Sequence, residues 1–90
     1  MELHQIPRRT PDFILEPLDG ELLIYHLNER KVLYLNQSAF LVWQLVDSER
    51  SVGEMLELLT SAYPESKDQI SVDLQDTLQS FLDNGCIQLP

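Results

Sequence analysis

The apolar residues change their spacing at Asn36, and this change constrains the fold more than any other feature of the chain. Residues 31–35 carry an apolar side chain at nearly every position, which is typical of a strand. Beyond Asn36, a favourable helix N-cap, the apolar residues fall at helical spacing, at Ala39, Val42, Trp43 and Val46. The sequence therefore predicts a strand that runs directly into a buried helix.

Two more strand-like stretches precede this one, DFILEPL at residues 12–18 and ELLIYHL at residues 21–27. Asp19-Gly20 between them is a tight-turn dipeptide, because glycine takes a positive φ without steric cost. Asn28-Glu29-Arg30 predicts a second turn. The three stretches predict an antiparallel meander in which each outer strand leaves one edge unpaired.

Two further helices are predicted after the first. One begins at Ser51, which forms a capping-box pattern with Glu54, and ends before Pro64. The other begins between residues 66 and 71 and ends at Asn84-Gly85, a left-handed stop. We therefore expect an α+β fold, with a three-stranded antiparallel N-terminal sheet followed by three helices. This fold is similar to a winged helix, although the hairpins here precede the helices.

The length of the chain, 90 residues, is enough for one domain with a modest core. We expect residues 11–90 to form this domain and residues 1–10 to form a flexible N-terminal arm. No apolar run approaches the length of a membrane span, and the N-terminus lacks the apolar stretch of a signal peptide. Cys86 is the one cysteine, so an internal disulfide is excluded and a cytoplasmic location is expected.

The chain is acidic, with 15 Asp and Glu against 6 Lys and Arg and a formal net charge of −9. Such a surface repels nucleic acid and anionic lipid, and it favours a partner with some positive charge. Residues 71–83, most of the third predicted helix, carry three aspartates and no basic residue. A winged-helix type of DNA contact is thereby excluded, and neither nucleic acid nor a membrane is expected as a partner.

No catalytic or metal-binding constellation is apparent in the sequence. His4 falls in the arm and His26 in the middle strand, and no spacing relates either of them to Cys86 or to a carboxylate pair. Asp73 and Asp76 lie three residues apart, as on a solvated acidic helix face. We therefore expect a protein that is not an enzyme and that needs no cofactor or metal.

A small acidic carrier or scaffold protein, similar to an acyl carrier protein, is an alternative class. Asp47-Ser48 matches the start of the Asp-Ser-Leu motif on which those domains carry phosphopantetheine, but Glu49 follows it. The pair also lies at the end of a predicted helix, whereas the carrier motif lies at the start of one. The strand-rich first third of the chain differs from a carrier as well.

The third predicted strand, residues 31–35, is the better template for an added strand. The first strand has Pro11 before it and Pro17 within it, and proline has no N–H to donate to a ladder. The third strand has no proline and a single charge, at Lys31. Addition of a peptide strand to such an edge is a general mode of peptide recognition.

Side chains alternate along a strand, so Val32 and Tyr34 point to one face if Leu33 and Leu35 point toward the helices. A helix beside the strand would then line a peptide groove with apolar contacts, with aspartates at its rim. The pattern leaves a second interpretation open. In that interpretation these residues belong to the core, and the arm or the C-terminal tail covers the strand edge.

The chain also resembles the PqqD family over residues 11–89, in the order and spacing of several short motifs. These motifs are YLNQSA at 34–39, VWQLVD at 42–47, SVGE at 51–54, DL at 73–74, FL at 81–82 and NGCI at 84–87. PqqD-like domains hold the leader segment of a ribosomally made precursor peptide and present its core to a modifying enzyme. The resemblance implies the same peptide-chaperone role here.

In that family the leader adds as an antiparallel strand to the third strand of the sheet and lies against the third helix. Carried over by position, the resemblance and the strand-edge argument together give a groove of ten residues. They are Lys31, Val32, Leu33, Tyr34, Leu35, Asp73, Leu74, Asp76, Thr77 and Leu78.

The resemblance also implies partners. Members of the family serve pyrroloquinoline quinone synthesis, lasso peptide maturation and other peptide pathways, with a radical S-adenosylmethionine enzyme or a leader protease as a separate modifying enzyme. Ser48-Glu49 stands where the family pattern has Asp-Gly, which favours a lasso-type or unassigned pathway. Because an exposed edge can also pair with a second copy, we expect a monomer or an edge-paired dimer.

Overall fold

The computed structural model describes residues 1–28 and 30–90. The strands are β1 (Arg8–Arg9), β2 (Phe13–Leu18), β3 (Glu21–His26), β4 (Lys31–Leu35) and β5 (Ile87–Gln88). The helices are α1 (Gln37–Leu45), α2 (Val52–Ala62) and α3 (Lys67–Asp83), with a 3-10 turn at Pro64–Ser66. An antiparallel sheet in the order β2-β3-β4 precedes the helices, and β1 pairs with β5. The predicted α+β, winged-helix-like architecture is confirmed.

The turn between β2 and β3 has the backbone that the sequence predicts. Asp19 and Gly20 have φ angles of 39° and 84°. Both central residues of a type I′ turn need a positive φ, and this turn type matches the twist of the strands that it joins. Of the second predicted turn, Asn28-Glu29-Arg30, the central Glu29 lies outside the described residues.

The first two helices begin at the residues that the sequence predicts. The Asn36 side chain accepts a hydrogen bond of 2.9 Å from the Ala39 N–H at the start of α1. At α2 the Ser51 hydroxyl accepts from the Glu54 N–H at 3.1 Å, and the Glu54 carboxylate accepts from the Ser51 N–H at 3.0 Å. Each bond provides a partner for an N–H group that a helix start leaves without one. The predicted N-cap and capping box are confirmed.

The end of α3 is a Schellman motif built on Gly85. This glycine has a φ of 72°, in the left-handed region. Its N–H donates to the Leu82 carbonyl at 3.1 Å, and the Cys86 N–H donates to the Phe81 carbonyl at 2.8 Å. These two bonds close the last turn, and they confirm the predicted left-handed stop.

The core lies between one face of the sheet and the three helices. Trp43 of α1 is at its centre, 2 % exposed, with its ring edge-to-face against Phe81 of α3 at a centroid distance of 5.4 Å. The sequence predicts burial of α1 on several sides, and Val42 is buried as expected. Leu41, however, remains 36 % exposed, because this side of α1 opens into a cleft.

Residues 1–10, expected as an arm, are hydrogen-bonded to the helical half in this structure. The carbonyls of Leu3 and Gln5 accept from the N–H groups of Gly53 and Val52 at 2.8 and 2.9 Å, at the first turn of α2. β1 pairs with β5 at the other end of the chain. These partners are distant in sequence, so no local pattern indicates them. The flexibility of the arm in solution stays a prediction.

Candidate functional site

The strand β4 lies at one edge of the three-stranded sheet. It pairs with β3 on one side, with Leu22 opposite Leu35 and Tyr25 opposite Val32. Among the described strands, none pairs with its other side. In an antiparallel ladder, alternate residues of an edge strand direct their N–H and C=O groups away from the sheet. This row of backbone groups is the first component of the candidate site.

Side chains along β4 alternate between the core and solvent. Leu35 is 2 % exposed and Leu33 packs against the core, whereas Val32 and Tyr34 are 56 % and 54 % exposed. The alternation that the sequence predicts is confirmed. The strand therefore presents one row of side chains toward the helices and a second row on the opposite face of the sheet.

Neither chain terminus pairs with β4 in the part of the chain that the structure describes. β1 and β5 pair with each other in a separate two-stranded sheet, with Arg8 opposite Gln88 and Arg9 opposite Ile87. In the described residues neither the arm nor the tail covers the strand edge by backbone pairing, so this structure gives no support to the interpretation in which one of them covers it. The exposure of Val32 and Tyr34 also shows that β4 is not entirely core.

The second component of the candidate site is a cleft of about 410 Å³ between α1 and α3. Gln37, Ser38 and Leu41 line it from α1, immediately after β4 ends, and the last part of α2 contributes Leu59 and Tyr63. A volume of this size is in the range of ligand pockets. The exposed surface of the lining is mainly apolar with some polar groups. Such a lining suits a ligand that has apolar side chains and a polar backbone.

The structure brings together only some of the helix residues that the sequence predicts for the groove. Asp73, Leu74 and Thr77 all line the cleft. Asp76 is exposed but is not part of the cleft lining. Leu78 has no exposed surface, so it supports the cleft from the core instead of lining it.

The sequence does not indicate the side of the cleft that α1 and α2 form. Gln37, Ser38 and Leu41 lie on a helix that its apolar composition assigned to the core. Tyr63 at the end of α2 also lines the cleft and is 54 % exposed, and no sequence signal marked it, because single exposed apolar residues are common on protein surfaces.

Asp73 is the one charged residue among the described residues that line the cleft. Its carboxylate accepts a hydrogen bond of 2.9 Å from the Gln69 side chain, one turn earlier on α3. A single carboxylate in a mainly apolar cleft favours a ligand that combines apolar and basic groups.

Within residues 1–28 and 30–90, no three His, Cys, Asp or Glu side chains are grouped so as to hold a metal ion. No helix in that part of the chain combines the length and the apolar character that crossing a bilayer requires.

Comparison with solved structures identifies a protein of the same fold, described as TbiB1 in complex with the TbiA(beta) leader peptide. The TM-score is 0.78, with 16 % sequence identity, and the match covers 90 % of this chain and 94 % of the other. At this identity the comparison shows the fold alone. A search of curated protein sequences finds no match.

Comparison with protein families gives a match over residues 21–87, from the start of β3 to β5. The matching family is described as Coenzyme PQQ synthesis protein D. The match includes β4, all three helices and every residue that lines the cleft. The chain belongs to the PqqD family.

Proposed function

We propose that the protein binds the leader segment of a ribosomally made precursor peptide and presents it to a separate modifying enzyme. The leader adds as a strand along β4. The observation that carries the proposal is the open edge of β4, which leads directly into the cleft between α1 and α3. Membership of the PqqD family supports such a role, and the similar protein TbiB1 is described in complex with a leader peptide.

Backbone hydrogen bonds supply the part of the affinity that does not depend on the leader's sequence. Each bond to an outward N–H or C=O group of β4 contributes about 0.5–1.5 kcal/mol net, because it replaces a bond to water. A five-residue edge strand offers only a few such groups. Contacts from side chains must therefore supply both additional affinity and selectivity.

Side chains of the added strand alternate, as those of β4 do. One set lies on the same face as Leu33 and Leu35 and continues toward the cleft beside Leu41 and Leu74. Apolar leader residues at these positions favour binding, because binding removes their apolar surface from water. A leader with apolar residues at every second position is therefore favoured.

Charge supplies a second basis of selection. Asp73 lies in the cleft, and the whole chain has a formal net charge of −9. A leader that carries Lys or Arg near its apolar residues is attracted over a distance of about 10 Å at moderate salt. We therefore propose a leader that is both apolar and basic.

The acyl-carrier alternative has less structural support. Ser48, with a φ of 66°, lies in the turn between α1 and α2, and Asp47 accepts hydrogen bonds from the N–H groups of Glu49 and Arg50. This arrangement stabilises a loop after one helix, whereas a carrier needs its serine at the start of a helix. We propose a non-catalytic role in a lasso-type or unassigned peptide pathway, in the cytoplasm.

The proposal is tested by an NMR titration of isotope-labelled protein with the leader half of a precursor peptide encoded beside its gene. We expect chemical shift changes to be concentrated in β4 and in the residues that line the cleft. Leu41→Ser should weaken binding about ten-fold, because it removes one apolar contact of the kind worth over 1 kcal/mol at an interface.

Leu58→Ser is the matched control, since Leu58 is also an exposed leucine on a helix, 47 % exposed on α2 and outside the cleft lining. It should leave the affinity unchanged. A folded protein whose β4 and cleft signals do not move at saturating leader would refute the proposed function.

A further inference from the structure

The face of the sheet that points away from the helices is mostly apolar. It carries Ile14, Leu18, Leu23, Tyr25, Val32 and Tyr34, with Glu16 and Glu21 among them. Cross-strand pairs place these residues in continuous rows, for example Ile14 opposite Tyr25 and Tyr25 opposite Val32. We call this surface of eight residues the outer face.

Five residues of the outer face are exposed, and Glu21, Leu23 and Tyr25 on the middle strand are half-buried. Ile14 is 53 % exposed, Val32 56 % and Tyr34 54 %. An antiparallel sheet with one solvated face normally alternates apolar residues inward with polar residues outward. The preference of these residues for strands does not explain the departure. Threonine is polar and also has a high strand preference, and leucine is not one of the β-branched residues that favour strands. Contiguous exposed apolar surface of this kind marks an interaction site.

The charges on the outer face indicate what kind of partner covers it. Glu16 lies opposite Leu23 within the face, and its carboxylate accepts a hydrogen bond of 3.0 Å from the Tyr25 hydroxyl. Glu21 lies at one end of the same face. Two copies packed face to face would cover these carboxylates without a basic side chain on the face to pair with them, in a chain of formal net charge −9. The electrostatics therefore favour a basic partner over a second copy.

We infer that the outer face docks the modifying enzyme, through an enzyme surface that combines apolar side chains with Arg or Lys. This inference rests on the proposed function, since it assigns a surface to the partner enzyme of that function. Arg or Lys on the enzyme pairs with Glu16 and Glu21, while its apolar side chains cover Ile14 and Leu23.

Continuity with β4 supports this assignment. Val32 and Tyr34 belong both to the outer face and to the edge strand on which the leader is proposed to add. Every second side chain of an added strand would lie beside them and extend the same face. An enzyme docked on the outer face thus contacts protein and leader together, so each should raise the affinity of the other.

The test is a calorimetric titration of the protein with the purified modifying enzyme encoded beside its gene, in the presence and absence of the leader. The double variant Ile14→Thr with Leu23→Thr keeps strand preference while removing apolar surface. We expect it to bind the enzyme about ten-fold more weakly or worse, as expected for loss of interface anchors. Its affinity for the leader alone should stay that of the parent.

Two further variants sharpen the test. Glu16→Lys should weaken enzyme binding, with an effect that shrinks at high salt, because it repels a basic surface. Leu58→Ser, which alters an exposed leucine away from the sheet, should leave enzyme binding unchanged.

The inference is overturned if the folded double variant Ile14→Thr, Leu23→Thr binds the enzyme as tightly as the parent protein does. It is also overturned if the parent protein does not bind the enzyme. A parent dimer that this double variant converts to a monomer, with enzyme binding intact, also overturns it and assigns the outer face to a second copy. The leader titration reports the proposed function separately. If the leader does not bind but the double variant still weakens enzyme binding, the proposed leader groove is refuted and the proposed enzyme-docking surface is not.

Discussion

At the scale of single residues, Arg9 connects the N-terminal segment to the core. Its guanidinium lies 4.5 Å from the centroid of the Trp43 ring and donates a hydrogen bond of 2.6 Å to the Trp43 carbonyl. That carbonyl lies in the last turn of α1, where it also accepts a hydrogen bond of 3.2 Å from the N–H of the C-cap residue Val46. Burial lowers the pKa of Arg9, and the nearby Asp47 opposes this shift. Arg9 therefore acts as a side-chain cap for α1.

Arg9→Ala should lower the free energy of unfolding by about 1 kcal/mol, since it removes a cation–π contact and a hydrogen bond. Chemical denaturation measures the change. The control is Arg8→Ala, which removes the neighbouring arginine of β1 and should have little effect. Equal effects from the two substitutions would show that loss of charge, and not the contact with Trp43, is responsible.

Substitutions at Asp73 and Asp76 distinguish two explanations for the selection of a basic leader, a local charge in the cleft and the net charge of the protein. Asp73 lines the cleft, whereas Asp76 is exposed outside it on the same helix. Asp73→Lys should weaken the binding of a leader that contains Lys or Arg more than Asp76→Lys does, with the difference decreasing at high salt. Calorimetry at two salt concentrations measures this. Equal effects would indicate that only the net charge of the protein matters.

At the scale of elements, hydrogen-bonded carboxylates stabilise the start of α2 and the turn before it. The N–H groups of Arg50 and then Glu49 donate to Asp47 and lower its pKa, and hydrogen bonds from Ser51 lower the pKa of Glu54. A carboxyl group with a lowered pKa in the folded state stabilises the fold above its unfolded pKa. This contribution is lost as the pH falls through the folded value.

The melting temperature should therefore decrease between about pH 6 and about pH 3, the range in which such carboxyl groups titrate. In the double variant Asp47→Asn with Glu54→Gln the decrease should be smaller, because neither side chain titrates. Glu57→Gln, at an exposed position on α2, is the control and should follow the parent curve. A double variant that also follows the parent curve would contradict the role of these two carboxylates.

The elements that the sequence predicts correctly depend on local chemistry. The cap at Asn36, the capping box at Ser51 and the stop at Gly85 each involve residues within a few positions of one another. The docking of the first ten residues could not be predicted in this way. It depends on backbone groups such as the Leu3 carbonyl that meet α2 only after the chain has folded.

At the scale of the whole molecule, the candidate site has a part that the sequence predicts and a part that it does not. The edge position and side-chain alternation of β4 follow from strand order and period. The cleft is assembled from α1, α2 and α3, so its lining depends on how the helices pack. For this reason Leu78, which has the right spacing for the groove on α3, is buried, whereas Leu41 on a helix assigned to the core is available for contact.

The central claim is that a leader peptide adds as a strand to the free edge of β4. Amide hydrogen exchange of Lys31–Leu35, followed by NMR with and without saturating leader, tests it most directly. The account predicts that alternate residues of β4, whose N–H groups point away from β3, become protected, while those already bonded to β3 change little. Saturating binding with no gain of protection at any residue of β4 would contradict strand addition.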